Sequence, residues 1–118
     1  MPAVPPAGPA GIGGVRAYGV VSSGSLVAAR SMGFADVTRP EAGTYCLTLA
    51  DASIDPTTIA PVVGVEWDSS SGFSLNAYAS VGASDCPEGT DVGVKTYQWT
   101  STTESEESNQ VAFTIVVP

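Results

Sequence analysis

The stretch Val111-Ala112-Phe113-Thr114-Ile115-Val116-Val117 gives the clearest indication of the fold. Side chains of a β-strand alternate between two faces, and both faces of this segment are apolar or small and uncharged. Such a strand is typical of the centre of a sheet that is covered on both sides. In a two-sheet sandwich the core covers one face. A neighbouring subunit would cover the other, unless the strand simply carries small residues outward. The residues predicted for the core and trimer interface are Val111, Phe113, Ile115 and Val117.

Seven similar short segments precede this one, and Gly, Pro, Ser and Asp turns separate them. Turn signals about every 8–12 residues favour a sandwich or jelly roll, and no stretch keeps a helical period over three turns. One short helical turn is predicted at Asp55, the N-cap, followed by Pro56. We therefore predict an all-β domain over residues 15–118, a small antiparallel β-sandwich or jelly-roll-like fold of about eight strands. The predicted strands are residues 15–21, 25–30, 34–39, 44–49, 61–67, 73–81, 91–99 and 110–117.

The composition predicts self-association. Of 118 residues, 43% are hydrophobic and 14% are charged, whereas soluble monomers usually carry more charge, about a quarter of their residues. A small domain with so little charge is expected to hide surface in a partner or in copies of itself. The net charge of −8 opposes binding to nucleic acid or anionic lipid. No apolar run is long enough to span a membrane, so no membrane insertion is expected.

Residues 1–14 differ in pattern from the rest of the chain. Gly8-Pro9-Ala10, Gly11-Ile12-Gly13 and Gly14-Val15-Arg16 are three G-X-Y triplets that follow a Pro-rich start. Such triplets fit a collagen-like triple helix, which would align three copies of the domain behind it. Three triplets also fit a flexible Gly/Pro linker. Either reading makes residues 1–14 a tether for residues 15–118.

The two cysteines, Cys46 and Cys86, allow one disulfide bond or two buried thiols. We favour the bond, which would stabilise the fold by about 3–4 kcal/mol in the chain-entropy model. Because the chain has no His and no CxxC motif, a zinc site is not expected.

Catalysis is not expected either. Without His, a Ser-His-Asp or Cys-His arrangement is impossible, and most of the acidic residues fall in turns. Glu66 is the one acid within an apolar strand, and alternation is expected to turn it away from Val63, Val65 and Trp67. We predict a non-enzyme without a cofactor.

Two further clusters allow alternatives. Asp85, Glu88 and Asp91 surround one turn and form either a weak calcium site or a solvated acidic turn. Glu104, Glu106 and Glu107 are expected at an exposed hairpin tip. The aromatic residues Trp67, Tyr78, Tyr97 and Trp99 are expected in the core or a subunit interface, or else at a sugar-binding surface. The candidates for facing a ligand are Trp67, Tyr97 and Trp99.

Several motifs carry a resemblance to a known family. Tyr18-Gly19-Val20-Val21-Ser22-Ser23-Gly24-Ser25-Leu26 resembles the opening of a family of small β head domains. These domains end bacterial collagen-like surface proteins and phage tail-fibre-like proteins. Further similar segments are residues 37–40, 42–49, 86–97 and 113–117.

This family is similar in outline to the globular heads of the complement C1q and tumour-necrosis-factor class. The resemblance implies a jelly-roll homotrimer that registers and caps a collagen-like or fibre stalk outside the cell, on a cell surface or virion. It also supports a bond between Cys46 and Cys86. The alternative function is an adhesive fibre tip that recognises a glycan or protein ligand.

Overall fold

The computed structural model of the protein describes residues 14–118, in which it shows nine β-strands and two 3-10 helices. The strands form two antiparallel sheets, which confirms the predicted all-β sandwich. Except for Gly14, the predicted tether lies outside the described residues. The strands are β1 (Ala17–Ser22), β2 (Ser25–Leu26), β3 (Phe34–Glu41), β4 (Thr44–Leu49), β5 (Val62–Glu66), β6 (Asn76–Ser80), β7 (Val92–Trp99), β8 (Ser105–Glu107) and β9 (Ala112–Val117), and the 3-10 helices are Ala28–Arg30 and Pro56–Thr58.

Sheet A has the strand order β2-β1-β9-β5. The last strand, β9, is therefore central, as its sequence predicts. It pairs antiparallel with β1 on one side and with β5 on the other. The register places Val116 between Tyr18 and Val62. The side chains of Tyr18, Val116 and Val62 are therefore cross-strand neighbours on one face of the sheet.

Sheet B has the order β3-β4-β7-β6, and β8 pairs with the end of β7. The Thr96 N–H of β7 donates to the Gly43 carbonyl, and the Thr96 carbonyl accepts from the Ser108 N–H. The turn that starts β4 therefore meets the end of β8. Gly43 has φ +70°, and a Cβ there would lie 2.6 Å from the Thr96 carbonyl oxygen. Only glycine fits this close approach without strain.

The core lies between the sheets and is almost entirely aliphatic. At its centre the Tyr45 ring meets the Phe113 ring edge-on, with 5.0 Å between centroids. Most of the other core side chains come from β1, β4, β7 and β9, because every second residue of these strands points inward. The buried core residues are Ala17, Val21, Tyr45, Leu47, Leu49, Ile59, Val92, Val94, Phe113, Ile115 and Val117.

The two ends of the sandwich differ. The Arg16 N–H donates to the Val117 carbonyl, so the chain enters the domain beside its own last residues. We call this the tether end. Because β1 and β9 are antiparallel, β1 finishes and β9 begins at the opposite, distal end. The loop after β5 also lies there, because the Ser71 N–H donates to the Gln110 carbonyl.

Three element predictions need correction. Residues 25–30 form the short β2 and then the 3-10 helix Ala28–Arg30. The strand predicted from residue 73 begins only at Asn76, because Gly72 (φ 121°) and Ser74 (φ 49°) have left-handed backbone that a strand cannot contain. β8 was not predicted, since Ser-Glu-Glu carries no apolar alternation. The helical turn at Asp55 is confirmed, and the Asp55 carboxylate caps it by accepting the Thr57 N–H at 2.9 Å.

Candidate functional site

The outward side of sheet A is mainly apolar and largely exposed. Inward residues of β1, β9 and β5 alternate with residues that point away from the core. Tyr18 is 40% exposed and Val62 is 61% exposed, and Val116 lies between them. On the same face, two residues earlier along β9, Thr114 lies between Val20 and Gly64. We call this set the open face: Tyr18, Val20, Val62, Gly64, Thr114 and Val116.

The charge pattern separates the open face from its rim. None of its six residues is charged, although the chain carries a net charge of −8. Glu66 lies on the same side of β5 at its distal end, and Arg30 lines depressions over this face, including one of about 350 Å³ formed with Val20, Glu66 and Thr114. Nearby, Met32 forms an isolated bridge with Tyr18 and is 65% exposed. A mainly apolar sheet face with few charged groups beside it is typical of a protein interface.

A segment of the chain packs against the outward side of sheet B. This covering loop comprises residues 81–91, between β6 and β7. Gly93 of β7 lies beneath it, and a Cβ at Gly93 would be only 2.9 Å from the Ala83 Cα. Cys46 and Gly93, which pair across β4 and β7, are both buried. The two sheets therefore differ, because sheet B has a cover from its own chain and sheet A presents an open face within residues 14–118.

A disulfide bond between Cys46 and Cys86 fastens the covering loop to β4, which confirms the predicted pairing. The two Cα atoms are 5.7 Å apart, and 40 positions separate them in the sequence. The bond thus joins the middle of sheet B to the loop that covers it.

A lysine reinforces the same attachment. Lys95 Nζ donates to Asp85 Oδ2 at 2.6 Å and to Thr44 Oγ1 at 3.0 Å, and Glu107 Oε2 lies 3.8 Å away. The hydrogen bond that Lys95 donates to Asp85 raises the pKa of Lys95 above its usual 10.5. The lysine therefore remains charged and unsuited to act as a nucleophile at neutral pH.

The acidic turn does not assemble as a cation site. Asp85 binds Lys95, whereas the Asp91 carboxylate accepts the Leu49 N–H at 2.8 Å. No group of three His, Cys, Asp or Glu side chains within residues 14–118 is arranged to hold a metal ion. The structure thus gives the calcium alternative no support.

Glu66 uses its carboxylate to shape the turn after β5. It accepts the Asp68 N–H at 2.7 Å and the Ser69 N–H at 3.2 Å. The bond from the Asp68 N–H is the main reason that the pKa of Glu66 falls below its usual 4.5. A general acid requires a raised pKa, so this environment is the opposite of the one that acid catalysis needs.

The four residues predicted for the core and trimer interface are all buried within one chain. Val111 is 2% exposed, and Phe113, Ile115 and Val117 are fully buried. Phe113, Ile115 and Val117 belong to the core of the sandwich, and Val111 is buried just before β9. On the other side of β9, Thr114 is exposed and Val116 is half-buried. The side of β9 that is available to a neighbouring molecule is therefore the one opposite these four residues.

The distal end carries exposed aromatic residues. Trp67 is 84% exposed and Trp99 is 38% exposed, as expected for two of the ligand-facing candidates. The third candidate, Tyr97, is half-buried and packs on Tyr78 with ring centroids 6.0 Å apart. Phe73, which is 81% exposed, is not among the predicted ligand-facing residues.

Two depressions adjoin these aromatic residues. Phe73 and Trp99 line a groove of about 530 Å³. Trp67 and Leu75 line a smaller one of about 300 Å³. The Trp99 N–H donates to the Phe73 carbonyl at 3.1 Å and thereby links the two loops that form the larger groove.

No protein-family model, curated protein or solved structure matches this chain in the comparisons. No helix within residues 14–118 has the length and apolar character needed to cross a membrane.

Proposed function

We propose that this protein is a non-catalytic head domain that assembles as a homotrimer and thereby registers and caps a stalk attached at its tether end. The open face carries the proposal. It is a largely apolar surface on β1, β9 and β5 of sheet A, and the chain from residue 14 onward leaves most of it exposed. Burial of such a surface between copies is favourable, at about 25 cal/mol per Å² of apolar area.

The direction of the strands supports the arrangement of the stalk. β1 begins at the tether end and crosses the open face toward the distal end. When copies pack through this face about an axis parallel to β1, their tethers all emerge on one side. This is the geometry that a parallel stalk requires.

Two observations support three copies in the proposed oligomer, the pattern of the tether and the family resemblance. The G-X-Y triplets of residues 8–16 fit a three-chain stalk, and collagen-type helices contain three chains. The resemblance to trimeric β heads points to the same number. The intramolecular disulfide supports placement outside the cell, on a cell surface or virion fibre, because disulfides persist in oxidising compartments. The mass of the particle in solution tests the proposal directly.

A second function, an adhesive fibre tip, is favoured by one specific observation. The exposed aromatic residues Trp67, Phe73 and Trp99 lie at the distal end, away from the tether. A fibre would present this end to its target. Binding of labelled intact protein to immobilised glycans and proteins tests the second function.

A further inference from the structure

We infer that the groove between Phe73 and Trp99 is a binding site for a neutral saccharide. The inference deepens the adhesive function and does not depend on trimer formation. The groove lies at the distal end and is formed by two loops, the one before β6 and the one between β7 and β8. Its volume of about 530 Å³ falls within the range of small-ligand sites, about 300–1,000 Å³. Its lining residues are Phe73, Ser74, Trp99, Thr100, Ser101 and Thr102.

The aromatic residues supply flat surfaces. Phe73 is 81% exposed, which is unusual for a large apolar side chain, and Trp99 is 38% exposed. The faces of a sugar ring carry C–H groups whose weakly positive hydrogens suit the negative face of an aromatic ring. Two aromatic side chains in one groove are therefore suited to pack against a pyranose.

The remaining lining residues supply hydroxyl groups. Ser74 and Thr102 can donate and accept hydrogen bonds. Thr100 Oγ1 donates to the Glu104 carbonyl and can still accept, and Ser101 Oγ accepts two backbone N–H groups and can still donate. This combination matches the hydroxyls of a sugar. A groove made only for an apolar peptide side chain has no need for four hydroxyl-bearing residues. Aromatic surface with several polar groups is the common composition of a specific small-ligand site.

The loops that form the groove are held by their own hydrogen bonds. The Thr100 N–H donates to the Glu104 carbonyl at 3.0 Å, and Ser101 Oγ accepts the Glu104 N–H at 3.1 Å. On the other side, Asn76 Nδ2 donates to the Ser74 carbonyl at 3.1 Å. A groove held in shape before binding loses less conformational entropy when a ligand enters.

The charges around the groove select a neutral sugar. None of the six lining residues is charged, and Glu104 and Glu106 lie in the adjoining turn and strand. The four basic residues of the chain, Arg16, Arg30, Arg39 and Lys95, are all outside the lining. With a net charge of −8, the protein repels sialylated, sulfated or phosphorylated glycans.

A glycan array tests the site. The intact protein, fluorescently labelled, is applied to an array that contains neutral, sialylated and sulfated glycans. We expect binding to neutral glycans only. Phe73→Ala should weaken that binding at least tenfold, and it should leave the fold intact because this side chain is mostly exposed. Tyr78→Ala removes another exposed aromatic residue outside the groove, and it should bind as the unaltered protein does.

Free sugar separates this inference from the assembly proposal. Each neutral glycan found on the array is titrated in solution while amide signals are followed by NMR. Shifts should centre on Phe73 and Trp99 even in a variant that has become monomeric, because each chain contains a whole groove. The inference is overturned if no neutral glycan binds, if only charged glycans bind, or if Phe73→Ala binds normally. Recognition of an immobilised protein without glycan binding also overturns it.

Discussion

Phe113 and Thr114 are consecutive residues of β9 with opposite environments. Phe113 is fully buried against Tyr45, whereas Thr114 is exposed on the open face between Val20 and Gly64. One strand therefore supplies the core on one side and the proposed subunit interface on the other. Substitutions at these two neighbours should separate folding from assembly.

Phe113→Asp should yield an insoluble or unfolded product. The carboxylate would be buried without a partner, at a cost of several kcal/mol, and the edge-on contact with Tyr45 would be lost. Solubility and circular dichroism check the result. Thr114→Asp is the matched control, which should fold and fail to assemble. A soluble, folded Phe113→Asp protein would show that β9 does not hold the core.

The Cys46–Cys86 bond should resist alkylation until a reductant is added. Mass spectrometry under denaturing, non-reducing conditions should find no added alkyl groups. With a sequence separation of 40 between the cysteines, the bond contributes about 4 kcal/mol to the free energy of unfolding in the chain-entropy model. Reduction should lower Tm by roughly 15 °C.

Reduction should not dissociate the oligomer, because the bond lies on sheet B, away from the open face. The Cys46→Ser/Cys86→Ser double variant is the control, and reductant should not change its Tm. Two alkyl groups added without reductant would mean that the cysteines are free.

Stability should fall at acid pH, partly through Glu66. The pKa of Glu66 is lower in the folded chain than its usual 4.5. Its contribution to the free energy of unfolding is therefore complete above the usual pKa and is lost as the pH falls through the folded pKa. Urea unfolding between about pH 6 and pH 3 measures this dependence. Glu66→Gln should make stability less sensitive to acid, while Glu88→Gln, at an exposed turn, is the charge-matched control. An equal effect of both variants would contradict the assigned role of Glu66.

Removal of residues 1–14 should leave the oligomer intact. Three G-X-Y triplets are too short to drive association, whereas burial of the open face can do so. Size-exclusion chromatography of the intact and shortened chains checks this. Dissociation of the shortened chain would assign assembly to the tether.

The sheets were predictable wherever turn residues bracket alternating apolar residues. β4 matches its prediction at both ends, and β9 matches at its C-terminal end. The errors arose where the backbone departs from a regular strand. Left-handed φ at Ser74 cannot be read from a serine. β8 pairs with β7 and has no apolar side of its own.

The candidate site was less predictable because it depends on pairing between distant segments. The sequence indicates that β9 is apolar on both sides, but it does not show that Tyr18 and Val62 flank Val116. Nor does it show which side the core covers. The disulfide could be predicted because only two cysteines are present.

The central claim is that the open face joins three copies, and light scattering at micromolar concentration tests it most directly. The intact chain has a mass of 11.9 kDa, and we predict a particle of three times that mass. Val62→Asp adds a charge to the open face at a side chain that is 61% exposed, so it should fold and give the monomer mass. Val81→Asp, at an exposed site in the covering loop of sheet B, should remain trimeric. A monomer mass for the unaltered chain, or a trimer that survives Val62→Asp and Thr114→Asp, would contradict this account.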